Sequence, residues 1–173
     1  MRKFVFLALF VTGRLVAAET VPGSVTVHTA APEHEVTFTP AQATNEFLAD
    51  FVRWVGEDAG KLPRRDSVLA VGSSSMRLWK TIKEDLAPLD IIHRGFGGST
   101  MKQVLQMMDF FQRYQAGTVL VYEGDNDFMN SGLTPEEYAG QCKEFIEGIR
   151  ANRPDAKIFF ISTKPCPARM QNI

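Results

Sequence analysis

The stretch VGSSSMRLW, residues 71–79, sets Ser73, Ser74 and Ser75 between an apolar run and an amphipathic one. A serine at a strand-to-helix turn attacks a carbonyl carbon once a base takes its proton, and the start of a helix favours the negative charge that then develops. Two further segments carry related chemistry. HRGFGGST, residues 93–100, offers glycines whose backbone N–H groups can approach a ligand closely. YEGDNDF, residues 122–128, sets the side-chain amide of Asn126 among carboxylates. A hydroxyl at such a turn, with N–H donors at neighbouring turns, suits chemistry in which negative charge develops.

These segments must be brought to one place by the elements around them. Short, nearly continuous apolar runs occur at 67–72 (SVLAVG), 89–95 (LDIIHRG), 118–124 (TVLVYEG) and 156–162 (AKIFFIS), the pattern of strands covered on both faces. Helical patterns lie between them: SSMRLWKTIKEDL, TMKQVLQMMDFFQRY and TPEEYAGQCKEFIEGIRA. The last opens on a capping box, with Thr134 as N-cap, Pro135 at N1 and Glu137 at N3. Strict alternation of strand and helix predicts an α/β fold with a parallel sheet and right-handed crossovers. In such a sheet function collects at the carboxyl ends of the strands, where GSSS, RGFGGST and EGDND all fall.

VLAVGSSSMRLW, HRGFGGST and YEGDNDF, in that order, resemble the SGNH (GDSL-like) hydrolases, in particular members with G-S-S-S in place of G-D-S. The resemblance covers about residues 45–170. It implies a three-layer α/β/α sandwich of flavodoxin-like topology and serine-dependent hydrolysis of esters through an acyl-enzyme. Carried over residue by residue, it implies Ser74 as nucleophile. The backbone N–H groups of Ser74 and Gly98, with the side-chain amide of Asn126, are then the oxyanion donors. Ser73 stands where the family has Asp, and His93 where it often has Asn.

The family's base is a histidine in a D-x-x-H segment after a fifth strand, and here the likeness stops. The histidines are His28, His34 and His93, and none follows Asn126. The expectation is therefore a chain that lacks the catalytic His and Asp together with the final strand and helix of the fold. Such a chain would be inactive as it stands and prone to self-association through an uncovered sheet edge. A non-catalytic binding module that keeps the scaffold is the alternative. His93 lies on the functional edge but has no evident orienting partner. Ser99–Lys102 spells S-x-x-K without the companion motifs of penicillin-interacting enzymes. DNDFMNSGLTPE lacks the fifth ligand and the turn glycine of a calcium loop, where Met129 and Asn130 stand. Neither metal nor cofactor is implied.

Length and charge bound the rest. The chain has 173 residues with 19 basic and 20 acidic side chains, which fits one globular domain and gives no electrostatic footprint for nucleic acid. The N-terminus, MRKFVFLALFVTGRLVAAET, reads as a secretory signal with cleavage after Ala18, although Arg14 interrupts it. Its apolar part is too short to span a bilayer. A secreted or periplasmic protein follows, and the resemblance implies a small-molecule acyl or acetyl ester as substrate. Cys142 and Cys166 are too few for a disulfide framework. Residues 19–44 read as a linker or N-terminal arm. TNEFLADFVRWVGEDAG then reads as a helix with Phe47, Leu48, Phe51, Val52 and Val55 on one stripe, Thr44 or Asn45 as N-cap and Gly60 as its stop. That helix is expected to pack on the domain over residues 45–173.

Overall fold

The computed structural model describes residues 5–11, 14–21, 23–29 and 35–164, and the chain divides into two units between Leu62 and Pro63. In the first unit four strands pair antiparallel in sequence order: β1 (Val5–Val11), β2 (Arg14–Val21), β3 (Ser24–His28) and β4 (Val36–Phe38). The cleavage point expected after Ala18 falls inside β2, and the stretch read as a linker or arm carries β3 and β4. A four-residue helix α1 (Pro40–Ala43) follows, its start closed by a reciprocal capping box between Thr39 and Gln42.

Helix α2 (Leu48–Asp58) buries Phe51, Trp54 and Val55, and the Phe51 and Trp54 rings meet edge to face at 5.0 Å. Its N-cap is Phe47 rather than Thr44 or Asn45, because Asn45 spends its side-chain oxygen on the Phe47 N–H at 2.9 Å and delays the first turn. Gly60, with φ of +74°, ends it as expected. Helix α2 lies within the unit that runs to Leu62.

The second unit is the α/β fold that the alternation predicts. Strands β5 (Val68–Gly72), β6 (Ile91–Gly95), β7 (Thr118–Tyr122) and β8 (Lys157–Phe160) form one parallel sheet in the order β6-β5-β7-β8. Alternate residues along each strand serve opposite faces. Val68, Ala70, Ile91 and Tyr122 pack with Met76 and Ile82 on one face. On the other, Arg94 donates to the Tyr114 hydroxyl at 2.8 Å and lies over its ring.

The helical stretch expected after β5 is two short helices, α3 (Ser74–Leu78) and α4 (Ile82–Asp85). The one after β6 breaks at Met107 into α5 (Met101–Gln106) and α6 (Met108–Gln112). Helix α7 (Asp125–Asn130) follows β7 directly. Helix α8 (Pro135–Asn152) starts at the capping box read from Thr134 and Glu137, whose two bonds measure 3.2 and 2.8 Å. Strand β5 is buried throughout, as a central strand should be, whereas β8 alternates with solvent and leaves Phe159 55% exposed.

Candidate active site

Strand β5 lies between β6 and β7, so the segments that follow these three strands share one edge of the sheet. Gly72 is in register with Gly95 on one side and Tyr122 on the other. Beyond that row the backbone continues to lace the segments together. Phe96 N–H donates to the Gly72 carbonyl at 2.9 Å, and Ser73 N–H to the Tyr122 carbonyl at 3.0 Å. Gly95 is a point of close approach: a Cβ there would sit 2.4 Å from the backbone nitrogen of Arg77 in α3.

Ser74 is the first residue of α3 and is half-buried, and its hydroxyl has no hydrogen-bond partner among the described residues. The preceding Ser73 is fully buried and its Oγ is likewise unpartnered. Gly98 is exposed in the β6–α5 loop with φ of +98°, a conformation that a side chain would strain. Asn126, in the first turn of α7, is 9% exposed and donates Nδ2–H to the Ser99 carbonyl at 2.8 Å, so it is tied to the residue next to Gly98. The segments carrying Ser74, Gly98 and Asn126 are thus joined pairwise by hydrogen bonds at one end of the sheet.

A set of acidic groups supports this edge. Asp127 accepts the N–H groups of Met101 at 2.8 Å and Gly124 at 3.1 Å, bracing the start of α5 against the start of α7. Burial pushes its carboxyl up, against the pull of those backbone donors. Glu123 accepts the Ser99 hydroxyl at 2.5 Å, and burial pushes its carboxyl well above the ordinary range, with the charges of Asp127 and Asp125 adding to the effect. Sequence reasoning missed Glu123. The available signal was a lone carboxylate closing the apolar run TVLVYEG.

No histidine among the described residues is placed as a base for Ser74. His93 Nε2 bonds the Met76 carbonyl at 2.6 Å, pinning α3 to β6. Burial lowers its proton affinity, the Met76 bond opposes that, and the charges of Lys80, Arg94 and Lys83 lower it further. His28 belongs to the first unit, where Nδ1 meets Glu35 at 3.0 Å, and His34 lies outside the described residues, as does Cys166. The S-x-x-K serine, Ser99, is fully buried on Glu123 while Lys102 is exposed. Lys164, beyond β8, does reach this edge, but its Nζ donates to Ser75 Oγ at 3.4 Å. Cys142 is half-buried and unbridged, its thiol pushed up by burial. A hollow lined by Leu69, Phe111, Ala116, Val119 and Ile149 lies toward the amino ends of the strands, away from Ser74.

Among the described residues no helix is long and apolar enough to cross a membrane. The chain matches no protein-family model and no curated protein. Its likeness is to solved structures. A GDSL-like lipase from Bacteroides thetaiotaomicron is 24% identical with a TM-score of 0.58, over 72% of this chain and 64% of that one. A protein named as an acylhydrolase from Bacteroides fragilis is 19% identical with a TM-score of 0.56, over 76% of this chain and 64% of that one. A protein named for platelet activating factor from Streptococcus pneumonia is 17% identical with a TM-score of 0.54, over 63% of this chain and 51% of that one. The chain therefore spans between about half and two-thirds of the length of these structures. What they share with it is the fold, a parallel sheet flanked by helices in a flavodoxin-like arrangement.

Proposed function

We propose that this protein is a serine ester hydrolase of the SGNH type. Ser74 Oγ attacks the acyl carbon of a small acyl or acetyl ester, the alcohol leaves, and water releases the acid from the acyl-serine. The backbone N–H groups of Ser74 and Gly98 and the Asn126 amide receive the oxyanion. The observation that carries this reading is the Asn126 side chain: it is buried, reaches across from α7, and is fixed on Ser99 one residue from Gly98. A single aligned donor of this kind lowers the barrier by about 3 kcal/mol. Among the described residues no base is placed on Ser74. A hydroxyl with no acceptor is a weak nucleophile at neutral pH, and we infer that a D-x-x-H segment of the kind the resemblance implies supplies the histidine.

Hydrolysis of p-nitrophenyl acetate tests the assignment. The polypeptide that carries the histidine segment is expected to turn the ester over, and Ser74→Ala to abolish that turnover. Residues 1–173 alone are expected to show no Ser74-dependent rate. Turnover that survives Ser74→Ala overturns the serine assignment, and Ser74-dependent turnover by residues 1–173 would place the base within them. The small-ester substrate and an extracytoplasmic location, secreted or periplasmic, belong to the same proposal. The location rests on the signal-like N-terminus, and N-terminal sequencing of the exported protein checks it.

A further inference from the structure

Glu123 follows β7 as a carboxyl that solvent barely reaches, at 1% exposure. Its Oε1 takes the Ser99 hydroxyl, while its buried Oε2 has no hydrogen-bond partner. Ser99 is itself fully buried, and its carbonyl takes the Asn126 amide. One residue therefore grips Glu123 with its side chain and Asn126 with its backbone. We propose that Glu123 is a positioning residue: acting through Ser99, it fixes the direction in which the Asn126 side-chain amide points. The proposal rests on the oxyanion role given to Asn126 above.

The geometry supplies the reason. A primary amide is planar and carries two N–H bonds, so committing one to the Ser99 carbonyl sets the direction of the other. That second N–H is the one left for an oxyanion. Its aim is as good as the placement of the Ser99 peptide, which sits in a loop beside a glycine with positive φ. The bond from Ser99 Oγ to Glu123 anchors that peptide to the end of β7. Asp127 braces the same two segments, but through Met101 and Gly124, and so does not touch the residue that holds Asn126.

The groups facing Glu123 favour an uncharged carboxyl. From α7 come Asp125 and Asp127, and the β6–α5 loop contributes Ser99. From α8 comes Tyr138, whose hydroxyl donates to the Glu123 backbone carbonyl at 2.8 Å and lies next to Cys142. An ionised carboxylate here would have one donor and two acidic neighbours, so burial keeps the proton on. A glutamine has the same shape and is neutral, and it should hold Ser99 as the acid does.

Side-chain amide NMR of the full 173-residue chain reads this without needing turnover. In wild type and Glu123→Gln, the two Asn126 amide hydrogens are expected to be resolved, with the one on the Ser99 carbonyl slow to exchange. In Glu123→Ala and in Ser99→Ala that hydrogen is expected to exchange at least about tenfold faster, with the methyl region of the spectrum retained. With rising pH the wild-type signal is expected to move above the ordinary carboxylate range while Glu123→Gln stays fixed. An Asn126 amide indifferent to both Glu123→Ala and Ser99→Ala overturns the proposal. So does a Glu123→Gln protein as loose as Glu123→Ala. Ser99→Ala keeps the test open should the alanine at 123 fail to fold. Loss of the hydrolase reading shows instead as ester turnover indifferent to Ser74→Ala, which leaves the Asn126 measurement standing.

Discussion

The segments after β6 and β7 and the segment after β8 reach the same edge of one sheet, yet they are built differently. After β6 and β7, Ser99, Glu123, Asn126 and Asp127 are buried and bonded to one another or to backbone. After the half-exposed β8, Lys164 donates to Ser75 Oγ at 3.4 Å. Groups that must stabilise charge without reorganising need a fixed, dry setting, and the first region supplies it. Among its described residues the second places no acceptor on Ser74. On the proposed reading, the oxyanion donors are thus organised independently of the base.

The largest expected effect comes from breaking the ordered side. Asn126→Ala should lower Ser74-dependent kcat by about a hundred- to a thousandfold, roughly 3–4 kcal/mol, measured with p-nitrophenyl acetate on the polypeptide that turns it over. Next is the pH dependence of stability. The folded protein holds the Glu123 proton more tightly than the unfolded chain, so its contribution is complete below the ordinary value of 4.5 and is lost as pH rises through the elevated one. Urea unfolding between about pH 5 and pH 8 should show stability falling by up to about 1.4 kcal/mol per pH unit in the window where this proton is bound only by the fold. Glu123→Gln should flatten that slope in part, because Asp127 is shifted in the same direction.

His93→Ala sharpens the comparison from the other face of the sheet. Removing the bond to the Met76 carbonyl should cost about 1 kcal/mol in thermal or urea unfolding. The smallest effect on stability belongs to the β8 side. Phe159→Thr, at a 55% exposed position, should change unfolding free energy by less than about 0.5 kcal/mol. It should nevertheless reduce self-association in sedimentation velocity if this edge pairs with other copies, since an apolar strand edge is a template for pairing. An unchanged sedimentation profile would remove the edge from consideration.

The parallel sheet was legible because its strands are short apolar runs bounded by glycine, serine and charge, and each run begins or ends within two residues of the observed strand. Helix α8 was legible because its cap is local chemistry, Thr134 with Glu137. The breaks at Met107 and between Leu78 and Ile82 were not, since the apolar period runs through both while the chain turns. Helix α7 was hidden because DNDFMN has no apolar stripe; it is held by Asp127 folding back on Gly124. At the candidate site, the segments that carry Ser74, Gly98 and Asn126 were legible as strand ends. The bond between Asn126 and Ser99, and the burial of Glu123, depend on which strands become neighbours, which no single segment encodes.

The contact of Gly95 with the Arg77 backbone bears on how this protein can vary over time. No side chain, however small, fits between the two segments there. In a saturation library position 95 should return glycine alone, while the exposed Arg77 opposite tolerates many replacements through its side chain. The imprint of selection would then lie on the residue with the least chemistry of its own.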